Sequence, residues 1–164
     1  SAASDVYKRQ PPHYTRTIFM NRFTLLFTLI ALLFTHNNAI SATYDVDMLN
    51  KRDDGEKMVY SEDILYVDLN DTVNWLTTSP GHNVEFIGAP KSADLPKKPS
   101  KVNKEFSYTF DEPGIYLYQC SPHKSMGMIA MVIVGEDLSN IDDIASTRVV
   151  GKSKKKLEAL LTSL

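Results

Sequence analysis

From Tyr44 to Val134 the apolar residues recur mostly at every second position, and only after that does the period change to that of a helix. Tyr44, Val46 and Met48 alternate with Asp45 and Asp47, the pattern of a strand with one face on a core. Met58-Val59-Tyr60 reads as a second strand. Residues 64–69 and 72–76 are two more, split by the turn pair Asn70-Asp71. Further strands are predicted over 82–87, over 106–110 with Phe106, Tyr108 and Phe110 on one face, over 114–119 and over 128–134. The charged stretch 51–57 around Gly55, the cluster Thr77-Thr78-Ser79-Pro80-Gly81 and Asp111-Glu112-Pro113-Gly114 read as the turns between them. Beyond Gly135, Ser139 and Asp142 have the spacing of a capping box, and Leu138, Ile141, Ile144 and Ala145 share one helical face. A second helix is predicted from about Ser153, with Leu157, Leu160, Leu161 and Leu164 on one side and Lys154, Lys155 and Lys156 left polar. About eight short strands followed by two helices predict an all-β Greek-key sandwich, with a helical extension over 138–164 covering part of one face.

The first third of the chain has a different pattern. Residues 23–34 are a twelve-residue apolar run after Met20-Asn21-Arg22, and Ala39-Ile40-Ser41 places small residues at alternate positions. A basic start, a run of that length and a small-residue site are the parts of a secretory signal peptide, and the run is short for a membrane span. Residues 20–42 are therefore expected to be a signal peptide, residues 1–19 an upstream extension foreign to the native protein, and residues 43–164 one exported domain. His13 and His36 fall in the removed segments, leaving His82 and His123.

From residue 43 onward there are 14 Lys and Arg against 19 Asp and Glu, a formal charge of −5. That balance disfavours nucleic acid as a partner. Against it, the Pro-containing stretch 88–104 carries Lys91, Lys97, Lys98, Lys101 and Lys104 with Asp94 as its only acid until Glu105. Such a run is either a solvated face or a basic patch for an acidic partner. One cysteine, Cys120, allows no internal disulfide, and a lone exposed thiol is a liability outside the cell. Burial as a metal thiolate resolves that conflict.

The chemistry is concentrated in Cys120-Ser121-Pro122-His123-Lys124-Ser125-Met126-Gly127-Met128, a thiol, an imidazole and a thioether within nine residues between two predicted strands. Adding His82 gives two imidazoles, a thiolate and a thioether, the ligand set of blue-copper sites. Other readings are weaker. A Cys–His hydrolase brings its histidine from a distant segment, usually with an orienting Asn or Asp, and a thioether is a poor ligand for structural zinc. A copper carrier or storage protein would favour exposed Met-rich or His-rich clusters, which the mature sequence lacks.

Gly81-His82-Asn83-Val84-Glu85, followed by Cys-x2-His-x4-Met running into Gly127-Met128-Ile129-Ala130, resembles the cupredoxin family, and within it the pseudoazurins, from about Tyr44 to the C-terminus. The two C-terminal helices match that group and distinguish it from the plastocyanins. The resemblance implies a type 1 blue copper protein that transfers electrons and is not an enzyme. One copper ion would cycle between Cu(II) and Cu(I), held by His82, Cys120 and His123 in a plane with Met128 as the axial contact. It also implies that Asn83 ties the two ligand loops together with Ser121 as partner, and that Met58 lies against the imidazole of His123. Taken alone, Asn83 reads equally as a turn residue and Met58 as core. The exposed edge of His123 would be the electron port, rimmed by Pro122, Met126 and Ile129 and then by lysines, Lys124 among them. The resemblance further implies a periplasmic monomer whose partners are redox proteins, among them an acidic-faced reductase such as copper nitrite reductase and an electron donor.

Overall fold

The computed structural model describes residues 41–164. The upstream extension and all but the last two residues of the expected signal peptide lie outside the described residues. Within them, eight strands run in order: β1 (Thr43–Lys51), β2 (Lys57–Tyr60), β3 (Ile64–Val67), β4 (Thr72–Leu76), β5 (Glu85–Gly88), β6 (Phe106–Thr109), β7 (Gly114–Gln119) and β8 (Ile129–Val134). A 3-10 turn, Ser121–Met126, joins β7 to β8, and two helices follow, α1 (Ile141–Ala145) and α2 (Ser153–Thr162). The strands form two sheets of four, ordered β2-β1-β4-β6 and β3-β8-β7-β5. The pairs β1–β4 and β3–β8 are parallel, and the remaining ladders are antiparallel.

The period-2 pattern fixes which side chains meet. Val46 and Met48 of β1, Val73 and Trp75 of β4, Tyr116 and Tyr118 of β7, and Ala130 and Val132 of β8 point between the sheets and form the main core. Trp75 stands edge-on to Tyr118 with ring centroids 5.2 Å apart, an arrangement that adds about 0.5–1.5 kcal/mol beyond the area buried. The alternate residues of β7 and β8, namely Ile115, Leu117, Ile129, Met131 and Ile133, would face water in an isolated sandwich. Instead Ile144 of α1 and Leu157 and Leu160 of α2 cover them. Both strands are therefore buried on both faces along their whole length, which is why they read as nearly continuous apolar runs.

Two expected boundaries differ from those observed. The strand expected to begin at His82 begins at Glu85, because a crossing loop takes the backbone groups before it. Asn103 N–H donates to the His82 carbonyl at 3.0 Å, and Ser100 N–H to the Val84 carbonyl at 2.8 Å. The capping box expected at Ser139 is absent: α1 starts after Asn140, with no side-chain cap. The Asn140 side chain is turned the other way, accepting from Ile115 N–H and donating to the Ile115 carbonyl, both at 2.9 Å. It therefore pins the start of α1 to β7.

A charged cluster fastens α2 to the β2–β3 turn and, through Arg52, to the end of β1. Asp63 accepts from Lys156 Nζ at 2.5 Å and from Arg52 at 3.1 Å. Burial pushes the Asp63 carboxyl up, but the hydrogen bonds from Arg52 and Lys156 more than reverse this and hold it below its ordinary value of 3.8. A depressed carboxylate stabilises the fold above its unfolded-state value, and that contribution is lost as pH falls through the lower folded value. Asp63→Asn should therefore lower the urea midpoint at pH 7, and its gap from the parent should close as pH drops below 3.8. A gap that stays constant with pH would show that the carboxylate charge contributes nothing.

Candidate metal centre

Cys120 follows directly on β7, and its N–H donates to the Met128 carbonyl at 3.0 Å. This bond extends the β7–β8 ladder by one rung beyond the Gln119–Ile129 pair. The side chains of Cys120 and Met128 both point into the inter-sheet core, fully buried. Between them the chain makes its 3-10 turn, closed by His123 N–H to the Cys120 carbonyl at 3.0 Å and helped by Pro122 in its first turn. Gly127 ends it at φ +102, a left-handed conformation that a residue with a Cβ adopts only at a cost.

His82 comes from the other side, on the loop between β4 and β5. Three donor atoms meet there: Cys120 Sγ lies 3.7 Å from His82 Nδ1 and 3.5 Å from His123 Nδ1, and the two nitrogens are 3.1 Å apart. A point equidistant from all three lies about 2.0 Å from each, close to the ~2.0–2.3 Å of first-row metal bonds to imidazole and thiolate. The triangle thus fits one transition-metal ion. His82 Nε2 is 2.9 Å from Asn50 Oδ1; as the amide oxygen can only accept, the imidazole proton belongs on Nε2, leaving the Nδ1 lone pair free for a metal. Burial, and then the nearby His123, lower the pKa of His82, which keeps that ring neutral. Burial raises the Cys120 thiol, while the backbone N–H groups of Asn83 and His123 pull it back toward the thiolate. Metal binding must therefore displace the thiol proton.

The two ligand loops are stitched together. Asn83 Oδ1 accepts from Ser121 N–H at 2.9 Å, and its Nδ2 donates to Ser121 Oγ at 3.2 Å and to the Ser100 carbonyl at 3.1 Å. Tyr60 donates its hydroxyl to the Asn83 carbonyl at 2.8 Å, and Ser121 Oγ donates to Glu85 at 3.0 Å. No role at the site was expected of Asn50 or Tyr60, and Glu85 was marked only as part of the His82 motif. Each is brought in from a different strand, and no local pattern marks the first two. Met58 is half-buried against the inter-sheet core with φ +53, and the register of β1 and β2 sets it across from Asn50.

The surface residues divide. Lys97, Lys98, Lys101, Lys104 and Lys124 are all exposed. Residues 100–103 are bonded to the His82 loop, with Gly81 N–H also donating to Asn103 Oδ1, so the segment that carries Lys101 runs beside that loop. Lys91 does not join them. It pairs with Asp143 at 3.1 Å, and the preceding Pro90 lies against Gly114 at the far end of β7. Pro122 and Met126 are exposed, the latter 47 %. Ile129, expected on the rim, is buried beneath the helices, because the β8 alternation sends Met128 and Ala130 inward and Ile129 to the opposite face.

Comparison with known proteins agrees with this centre. Residues 46–135 match the family model described as copper binding proteins, plastocyanin/azurin family. The chain belongs to that family. A pseudoazurin from Paracoccus pantotrophus is 32 % identical over 134 residues, covering 82 % of this chain and 92 % of its own. One from Methylorubrum extorquens is 33 % identical over 139 residues, covering 84 % and 92 %. The solved structure of a Sinorhizobium pseudoazurin superposes with a TM-score of 0.70 at 35 % identity, covering 74 % of this chain and 95 % of that one. This is a blue copper electron-transfer protein with a cupredoxin sandwich, an electron carrier that transforms no substrate. Among the described residues no helix is long and apolar enough to cross a membrane.

Asn83 is the bond that joins the two ligand loops. Asn83→Ala should cost about 1–3 kcal/mol of unfolding free energy in the metal-free protein, the range for leaving a buried polar group unpaired, as measured by urea titration. An unchanged midpoint would show that the loops hold their places without it.

Proposed function

We propose that His82 Nδ1, Cys120 Sγ and His123 Nδ1 would hold one copper ion, with the Met128 thioether as a further, weaker donor. Asn83, Ser121 and Met58 brace the site. The observation that carries this reading is the triangle of three donors around a point about 2.0 Å from each, the length of a first-row metal–ligand bond. Bound copper supplies a one-electron Cu(II)/Cu(I) couple. The protein keeps the donors in one geometry for both states, because Cys120 and Met128 are locked in the core, His82 is held by Asn50, and the loops are tied through Asn83. His82 and Cys120 are buried while His123 is only partly so. Electrons therefore pass by the His123 edge beside Pro122 and Met126. The same burial favours electron transfer over copper delivery, which would require the core to open. Residues 20–42 direct the chain to the periplasm, where it acts as a monomer. There it takes electrons from a donor and passes them to an acidic-faced reductase such as a copper nitrite reductase, guided by Lys97, Lys98, Lys101, Lys104 and Lys124. Lys91, whose ammonium pairs with Asp143, is left out of this proposed set.

Copper-loaded Cys120→Ser should lose the intense visible charge-transfer absorption, whereas Met128→Leu should keep it and raise the reduction potential by removing a donor that favours Cu(II). Full colour in Cys120→Ser would overturn the ligand assignment.

Lysines around the port should act mainly on the association rate. Raising salt to about 0.15 M shortens the screening length to about 8 Å, so the second-order rate of reduction of an acidic reductase should fall. The triple variant Lys101→Ala, Lys104→Ala, Lys124→Ala should flatten that dependence with the visible spectrum unchanged, and Lys91→Ala should leave it as in the parent. Equal slopes in stopped-flow for the parent and the triple variant would reduce the lysines to a solvated face.

A further inference from the structure

The turn that carries His123 buries none of its own residues, so packing of its side chains does not set its position. Its first residue is held through Asn83, as described above. A segment almost thirty residues further along holds its second half. Ser153, the first residue of α2, is fully buried, and its Oγ donates to the Lys124 carbonyl at 2.5 Å. Lys152 N–H donates to the Ser125 carbonyl at 2.9 Å. Gly151, at φ +59, runs so close that a Cβ there would lie 2.3 Å from the Ser125 carbonyl oxygen and 2.9 Å from its Cα.

His123 sits at a kink in the turn, with φ −112 and ψ 15. Within the described residues the hydrogen-bonding neighbours of its ring are Cys120 Sγ and His82 Nδ1 alone. The direction of that ring is therefore fixed by the backbone on either side of it, and the backbone on its C-terminal side is what α2 grips. The helix is itself immobilised on the sheet by Leu157 and Leu160 and by the Lys156–Asp63 pair.

We propose that Ser153 and Gly151 are positioning residues for His123: the start of α2 and the two residues before it clamp the peptides of Lys124 and Ser125 and so set the direction of the partly buried imidazole. The inference rests on the copper reading for its consequence at the metal, but the clamp itself is a property of the metal-free chain. Ser153→Ala removes the hydroxyl without adding volume. Gly151→Ala keeps the hydroxyl and pushes Ser125 away instead.

The test compares both variants with the parent and with Ser163→Ala, which removes a hydroxyl bonded at 2.8 Å to the Leu160 carbonyl at the far end of the same helix. In the metal-free protein, amide hydrogen exchange at Lys152, His123 and Cys120 should speed up roughly fivefold or more in Ser153→Ala, as expected for the loss of one hydrogen bond. Gly151→Ala should show the same signature, and amides of β4 should be unaffected. In the copper-loaded protein, both variants should shift the ratio of the charge-transfer bands and the EPR splitting, while Ser163→Ala leaves them alone. Exchange at the turn unchanged in Ser153→Ala, or raised equally by Ser163→Ala, would overturn the clamp. If the parent lacks a charge-transfer band, the copper reading fails, and the exchange comparison decides the clamp alone.

Discussion

The hydrogen bond from Cys120 N–H to the Met128 carbonyl is the constraint on which the centre depends. It continues the β7–β8 ladder past its last regular pair, and the alternation of side chains along both strands then sends the thiol and the thioether to the same side, into the core. Everything between them must leave and return within the span of one rung, which confines His123 to a short turn close to Cys120. The two residues of the rung are themselves fully buried, and β7 and β8 behind it are buried on both faces, so opening it would expose apolar surface.

The remaining donor has to arrive from a loop, and loops carry no ladder to hold them. Here the stabilising bonds come from whatever lies nearby: residues 100–103 cross over the His82 backbone, Asn83 joins that backbone to Ser121, Tyr60 caps the Asn83 carbonyl and Asn50 fixes the ring of His82. Buried polar groups with partners cost little, and the same groups left unpaired would be expensive. The polar shell of the site is thus also what makes burial of His82 and the Cys120 thiol tolerable. The helices play an equivalent part on the outer face, covering apolar residues of β7 and β8 that an isolated sandwich would leave wet.

Charge is distributed with the same economy. The region from residue 43 onward is acidic, and within its lysine-rich run residues 100–103 bond to the His82 loop while Lys91 pairs with Asp143. The loop folds back along the molecule, so neighbours in sequence separate in space.

Much of this was legible in the chain itself. Strand patterns depend on local alternation, so all eight strands and the second helix could be read directly, and Cys120, His123 and Met128 share one short segment whose donor chemistry is diagnostic. Even there, local rules failed where a distant group competed. His82 was expected to open a strand until Ser100 and Asn103 claimed its backbone, Ser139 was expected to cap a helix whose start Asn140 instead ties to Ile115, and Ile129 was expected on the rim although the helices bury it. The bonds made by Asn50, Tyr60, Glu85 and Ser153 have no signal in their own neighbourhoods, because each reaches a group more than ten residues away along the chain. Sequence by itself determined which residues could bind the metal, since that is a matter of side-chain chemistry and spacing. Only the tertiary structure decided how those residues are held, because the hydrogen bonds that hold them form between segments that packing, and not chain order, makes neighbours.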